Sequence, residues 1–227
     1  MQRFFSYEYM YLLPLLLSAI LSLKTFRPGW PKQYRLFAVL IWTTLLAEAL
    51  ANLWIHKLHN MFGWNYSRNN LWIYNFYFLV RLVLLASIFY QILCDPRTKK
   101  IVYAVTIGIL AFGLADYFII QSPFQYNTYS VIACHVTLIA LCLCYFRQLL
   151  QAPGIIVLHK EPMIWMTLGT FLYQSASLPF LIMFGFLNMQ HSPLALSLLF
   201  INDIFNFIIC ICYLISFLCK PQHSQPL

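Results

Sequence analysis

Apolar runs about twenty residues long, separated by short clusters of proline, glycine, asparagine and basic residues, fill this sequence from end to end. A bilayer core about 30 Å thick is crossed by about twenty residues of helix. Seven segments meet or approach that length: Tyr9 to Leu23, Leu36 to Ile55, Leu71 to Leu93, Ile101 to Ile120, Thr128 to Leu150, Met163 to Phe186 and Leu194 to Leu218. Between them lie turn signals: Arg27-Pro28-Gly29, His59 to Asn70, Asp95-Pro96-Arg97, Gln121-Ser122-Pro123, Ala152-Pro153-Gly154 and Gln190-His191-Ser192-Pro193. The first run is the shortest, and tilt with Tyr7, Tyr9 and Tyr11 at the interface would anchor it. The pattern predicts an all-α integral membrane protein, a single seven-helix transmembrane domain over residues 1–227.

Five ionisable side chains interrupt these runs: Glu48, Arg81, Asp116, His135 and Asp203. A charge at bilayer depth costs at least a few kcal/mol, so such a group faces the bundle interior and finds a partner or water. At about 1.5 Å per residue, Glu48 and His135 lie about 10 Å below the same membrane face, Asp203 about 13 Å, Arg81 about 15 Å, and Asn75 and Asp116 about 6 Å. The polar groups therefore gather in one half of the bilayer. Helical spacing sorts them into stripes: Thr44, Glu48 and Asn52; Tyr74, Tyr77 and Arg81; Thr170, Gln174 and Ser177; Asn202, Asp203 and Asn206. These predict one cavity, open on the outer side, lined by Glu48, Asn52, Asn75, Arg81, His135, Gln174, Asp203 and Asn206.

Arg81 stays protonated at any relevant pH and needs a counter-group, for which Glu48 and Asp203 are the candidates. Two readings remain open. The three form an ionic lock that fixes helix packing, or Arg81 offers its charge to an anionic ligand while a carboxylate holds it in place. His135 reads as a hydrogen-bonded packing residue, and Asp116 as a hydrated group near the interface. Pro179 removes a backbone donor and is expected to kink the sixth helix beside Gln174 and Ser177.

Composition narrows the classes further. With 62% hydrophobic and 9% charged residues the chain has no soluble surface. The formal charge of +8 sits in short inter-helix segments, which makes it a topology signal and gives no reason to expect nucleic acid. With the N-terminus outside, the inner segments hold Lys24, Arg27, Lys32, Arg35, Arg97, Lys99, Lys100, Arg147, Lys160 and Lys220; the outer ones hold Arg3, Lys57 and Arg68. The C-terminus is then cytoplasmic, and the short polar tail after Leu218 carries no output domain. The first run lacks a small-residue cleavage site and reads as a span, not a signal peptide. The seven cysteines all fall in or beside predicted helices on the inner side or within the bilayer, and they read as packing residues.

Catalytic readings fail on residue type. A zinc hydrolase of the membrane needs about three histidines in reach of one metal, and only His135 lies within a predicted span. A retinal protein needs a lysine in the last helix, and Leu194 to Leu218 has none. No phosphate loop or Ser-His-Asp signature is present. The expectation is a non-enzyme without cofactor.

Residues 1–93 and 128–218 each supply three spans with a fourth between them. An offset of 128 lays Leu71-Trp72-Ile73-Tyr74-Asn75 on Leu199-Phe200-Ile201-Asn202-Asp203, the arrangement of small sugar transporters built as three-plus-one-plus-three parallel repeats. Three stretches carry another likeness: Asn69 to Tyr77, Trp165 to Tyr173 after Glu161-Pro162, and Ile201-Asn202-Asp203-Ile204-Phe205-Asn206. In these the chain resembles, over about its whole length, functionally uncharacterised seven-helix membrane proteins of Bacteroidota, and similar helices precede sensor histidine kinases. It departs from them at Arg81, where an acidic residue often follows the Tyr-x-x-Asn-like motif. The resemblance implies signal reception in a bacterial inner membrane. The expected function is a sensor or receptor-like protein that takes a small polar or anionic ligand into an outward-facing pocket and signals through a partner protein in the lipid bilayer. A small-solute or proton-coupled transporter is the alternative, and a structural subunit held by the ionic lock is the third reading.

Overall fold

Apolar runs that cannot leave backbone groups unpaired in lipid close into helices, and the computed structural model is helical wherever regular structure occurs. It describes residues 10–58, 70–121, 126–151, 160–189 and 194–219, and no strand occurs among them. Seven α-helices follow in order: α1 Leu12–Ser22, α2 Lys32–Leu53, α3 Leu71–Ile92, α4 Pro96–Ala115, α5 Thr128–Gln151, α6 Pro162–Met189 and α7 Leu194–Leu218. A 3-10 turn, Leu23–Phe26, extends α1, and π turns Trp54–Leu58 and Asp116–Ile120 extend α2 and α4. The stretches Lys32–Leu58, Leu71–Ile92, Pro96–Ile120, Thr128–Gln151 and Phe200–Leu218 are long and apolar enough to cross a membrane. The chain is an integral membrane protein. Leu12–Phe26 is apolar but shorter, and α6 is 28 residues long.

Several boundaries differ from those the apolar runs predict, and the cause is capping. The fourth helix begins at Pro96 and not at Ile101, because Asp95 accepts the Arg97 N–H at 3.2 Å, the Thr98 N–H at 2.9 Å and the Thr98 hydroxyl at 2.6 Å. An acidic cap followed by proline at the first helical position starts a helix whatever the hydropathy of its first turn. Likewise α2 runs back to Lys32, and α1 begins three residues after Tyr9. The Arg27-Pro28-Gly29 turn is formed, with Gly29 at φ 95°, a conformation glycine adopts without strain. The expected breaks at 59–69, 122–123, 152–154 and 190–193, and the expected roles of Tyr7, Tyr9 and the tail after residue 219, lie outside the described residues.

Contacts between helices give a ring. Helix α1 packs on α2, α2 on α3, α3 on α5, α5 on α6, α6 on α7, and α7 returns to α1. Helix α4 lies outside, against α3 and α5, and buries only Val102 and Gly113. Two contacts are backbone-close: a methyl on Gly113 would meet Leu79 Cδ2 at 2.3 Å, and one on Gly169 would meet Cys212 Cβ at 2.5 Å. Small residues at such crossings are how membrane helices gain packing without a hydrophobic drive between them. Side chains close the helix ends: Gln148 of α5 accepts the Cys94 N–H at 2.7 Å and donates to the Ile92 carbonyl at 3.1 Å, and Lys24 donates to the Phe217 carbonyl.

One half of the ring is solid. Phe37, Leu82, Leu85, Phe89, Leu138, Met166 and Phe217 are almost fully buried there, with Phe37 stacked on Phe217 at 4.5 Å between ring centres. The junctions nearest this half carry Lys24, Arg27, Lys32, Arg35, Arg97, Lys99, Lys100, Arg147 and Lys160. The other half is hollow.

Candidate functional site

The polar stripes converge on a cavity of about 420 Å³ inside the ring, a volume in the usual range for small-molecule sites. The odd-numbered helices contribute Leu15, Tyr74, His135 and Asp203 from their N-terminal halves, and α7 adds Ile209, Cys210 and Tyr213 further along. Helices α2 and α6 contribute from their C-terminal halves, through Glu48 and Phe180. The alternating chain directions place these halves at the end opposite the basic junctions, and the Phe37–Phe217 plug closes the floor.

Arg81 is 8% exposed. Its guanidinium lies 4.8 Å from the centre of the Tyr173 ring and is hydrogen-bonded to the Tyr213 hydroxyl, with Tyr77 also beside it. The contacts described for Arg81 are with tyrosines, and Glu48 bonds tyrosines in turn, where a direct lock between the two was expected. Aromatic faces and phenol oxygens replace it, since a ring quadrupole attracts a desolvated cation. One hydroxyl cannot occupy all five N–H donors of a guanidinium, and the cavity is the space they face.

Glu48 sits higher. Tyr11 of the segment leading into α1 donates to its Oε2 at 2.8 Å and Tyr74 of α3 donates to the same oxygen at 3.0 Å. Oε1 accepts no bond among the described residues. One turn deeper, the Tyr77 hydroxyl and Thr44 Oγ1 are 2.6 Å apart, and Thr44 also donates to the Leu40 carbonyl. Tyrosines therefore separate the acid from the base along the α2–α3 wall.

His135 is 1% exposed and lines the cavity between Phe78 and Tyr173. Its Nδ1 is 2.8 Å from the Val131 carbonyl; a carbonyl only accepts, so Nδ1 carries the hydrogen. In the neutral ring Nε2 is then a lone-pair acceptor, and it has no hydrogen-bond partner.

Of the eight residues named from sequence, Glu48, Arg81, His135, Asp203 and Asn206 line the cavity. Three do not. Asn52 turns back to the Glu48 carbonyl on its own helix at 3.0 Å. Asn75 exchanges bonds with Asn127, at 3.2 and 3.3 Å, and ties α3 to the start of α5. Gln174 is buried away from the cavity, its Oε1 unpartnered. Asp116 is not a hydrated interfacial group: it is fully buried, and its Oδ2 accepts the Ser130 N–H at 3.0 Å. It thereby caps α5, whose first N–H groups have no partner within the helix. Pro179 lies inside α6, next to the lining residues Phe180 and Leu181.

Sequence reasoning missed the tyrosines. Tyr11, Tyr126, Tyr173 and Tyr213 all face the cavity beside Tyr74 and Tyr77. A usable signal was the depth of Tyr173, more than ten residues from either end of α6, where interfacial anchoring does not explain a phenol. The cavity thus presents one cation, carboxyl groups, acceptors and aromatic walls, and no group of three metal-ligating side chains occurs among the described residues. Compared with protein-family models, with characterised proteins and with solved structures, the chain matches none of them.

Proposed function

We propose that this protein is a membrane-embedded binding protein of the sensor or receptor type, taking a small polar or anionic molecule into the ring from the open end and passing the response to a partner protein. The orientation that goes with this reading has seven spans, the N-terminus outside and the basic junctions in the cytoplasm, in a bacterial inner membrane. The observation that carries it is Arg81: a guanidinium on the wall of a membrane-embedded cavity, with tyrosine rings and hydroxyls as its described neighbours and more donors than one hydroxyl can occupy. An uncompensated charge in a low-dielectric interior costs several kcal/mol, and a bound anion would offset that cost.

A route for the response exists. Tyr213 bonds Arg81 through its hydroxyl and sets its ring edge-on against Phe37 at 5.0 Å, so the cavity and the plug share one side chain. A ligand that draws the guanidinium away from Tyr213 would loosen the packing toward the basic end. The test is ligand-dependent thermal stabilisation of the purified full chain across a panel of organic anions, compared with Arg81→Gln. Stabilisation by a panel member that the variant lacks supports the reading; equal stabilisation of both sinks it.

The transporter reading is favoured by one observation. The ring order α1, α2, α3, α5, α6, α7, with α4 excluded, is the order two parallel three-helix units would give around a common axis. The site itself does not follow such a repeat, because the offset of 128 carries Arg81 to Ile209 and Glu48 to Ala176. Solute flux into vesicles containing the protein, abolished by Asp203→Asn, would decide for transport.

A further inference from the structure

The order of charges along the cavity selects among anions. Glu48 bonds Tyr74, seven residues nearer the open end than Arg81 on α3, and Arg81 neighbours Tyr213, ten residues beyond Asp203 on α7, so by helix position a simple anion passes two carboxyl groups before the guanidinium. A molecule carrying its own cation behind its anion would not be opposed in this way. Glu48 is bonded to Tyr74, and Arg81 lies seven residues further along the same helix, about 10 Å. The Oε1 atom of Glu48 remains without a hydrogen bond among the described residues, while both tyrosine hydroxyls converge on Oε2. A charge-assisted contact at each end is about 2.8 Å long. Within an α-amino acid, carboxylate oxygen and ammonium nitrogen are about 3 Å apart by covalent geometry. The sum is about 9 Å, of the same order as that axial spacing on α3.

We infer that the cavity is built for a zwitterion of α-amino-acid type, its carboxylate on Arg81, its ammonium toward Glu48, and its side chain against the apolar wall of Leu40, Phe78, Phe180 and Ile209. This rests on the anion-binding reading of the same cavity and adds the requirement for a cationic group on the ligand. The wall explains the remainder of the volume: 420 Å³ exceeds what two charged groups fill, and aromatic and aliphatic linings take up apolar side chains. A preference for larger, apolar amino acids over glycine follows.

The experiment uses the full chain in lipid nanodiscs and matched probes: L-phenylalanine, its anion-only relative 3-phenylpropionate and its cation-only relative 2-phenylethylamine, with L-leucine, 4-methylpentanoate and isopentylamine as a second set. Binding is read by calorimetry. The amino acid of at least one set should bind about tenfold or more tighter than either of its fragments, about 1.4 kcal/mol or more. Glu48→Gln, which keeps an acceptor of the same size, should bring the amino acid down to the level of the carboxylate fragment and leave that fragment unweakened. If the carboxylate fragments bind as tightly as the amino acids, or Glu48→Gln leaves the ranking intact, the zwitterion assignment is overturned and the anion pocket stands. If no carboxylate of either kind binds, both readings fall together. The comparison of fragments on the unmodified protein needs no variant to fold.

Discussion

Tyr11 donates its hydroxyl to Glu48 at 2.8 Å, so the carboxyl of α2 holds the beginning of α1 against the ring. Tyr74 of α3 donates to the same oxygen, and three helices meet at one atom. Tyr11→Phe and Tyr74→Phe are each expected to lower the unfolding free energy by about 1 kcal/mol. The double variant strips both donors from a partly buried carboxyl and should cost more than the two single changes together. Denaturant titration of the four proteins in micelles measures this; strict additivity would mean that water replaces the hydroxyls.

Arg81→Met separates binding from stability. Tyrosine rings surround this guanidinium where an ion pair was expected, and replacing a buried charge with an apolar side chain of similar volume is often neutral or stabilising. The variant should therefore melt at or above the temperature of the parent while losing ligand-induced stabilisation. A loss of about 3 kcal/mol or more would instead mark Arg81 as part of a structural pair.

Two carboxyls outside the spans set opposite pH dependences. Burial holds Glu161 above its ordinary 4.5, against the downward pull of the Met163 N–H and the Tyr34 hydroxyl. The folded state thus binds this proton more tightly than the unfolded chain. The stabilisation is complete below 4.5 and is lost as pH rises through the raised folded value. Asp95 behaves the other way. Its bonds from the Thr98 hydroxyl, the Thr98 N–H and the Arg97 N–H hold it below 3.8, so its contribution is present above 3.8 and is lost as pH falls through the lowered folded value. Melting curves across acidic pH should show Glu161→Gln flattening the first slope and gaining stability at neutral pH, and Asp95→Asn flattening the second. Unchanged slopes in both variants would contradict the assignment.

The glycine crossings differ in tolerance. A methyl at Gly169 would stand 2.5 Å from Cys212 Cβ, an atom fixed to the α7 backbone, so α6 and α7 must part. A methyl at Gly113 meets the end of Leu79, which can rotate away. Gly169→Ala is expected to cost about 1–3 kcal/mol. Gly113→Ala should cost less, because Leu79 can turn aside while the helix-propensity gain of about 1 kcal/mol is common to both sites. Thermal melts of the two variants side by side give the ranking.

Hydropathy made the helices legible, and the expense of a charge at bilayer depth singled out Glu48, Arg81 and Asp203 before any coordinates. Each of those inferences depends only on a residue and its own helix. What stayed hidden depends on two. The stripe of Thr44, Glu48 and Asn52 does not tell that Asn52 folds back on its own carbonyl. Asp116 looked hydrated because it falls near a helix end, and only the position of α5 over it reveals a cap. Tyrosines serve interface, core and pocket alike, so Tyr173 and Tyr213 could not be assigned without knowing which helix faces them. The neighbour order of the ring is of the same kind: a helix's apolar face states that it has a neighbour and not which one.

Helix α4, which the ring does not include, still decides how the ring can be made. It is the return stroke of the chain, bringing it back to the face from which α3 set out, so that α5 enters in the same direction as α3. Without one crossing here, or with two, α5, α6 and α7 would each run the other way, and His135, Tyr173 and Asp203 would arrive at the opposite end from Glu48 and Tyr11. The least buried helix of the bundle thus acts as a parity element: what it contributes to the cavity is no side chain but an odd number.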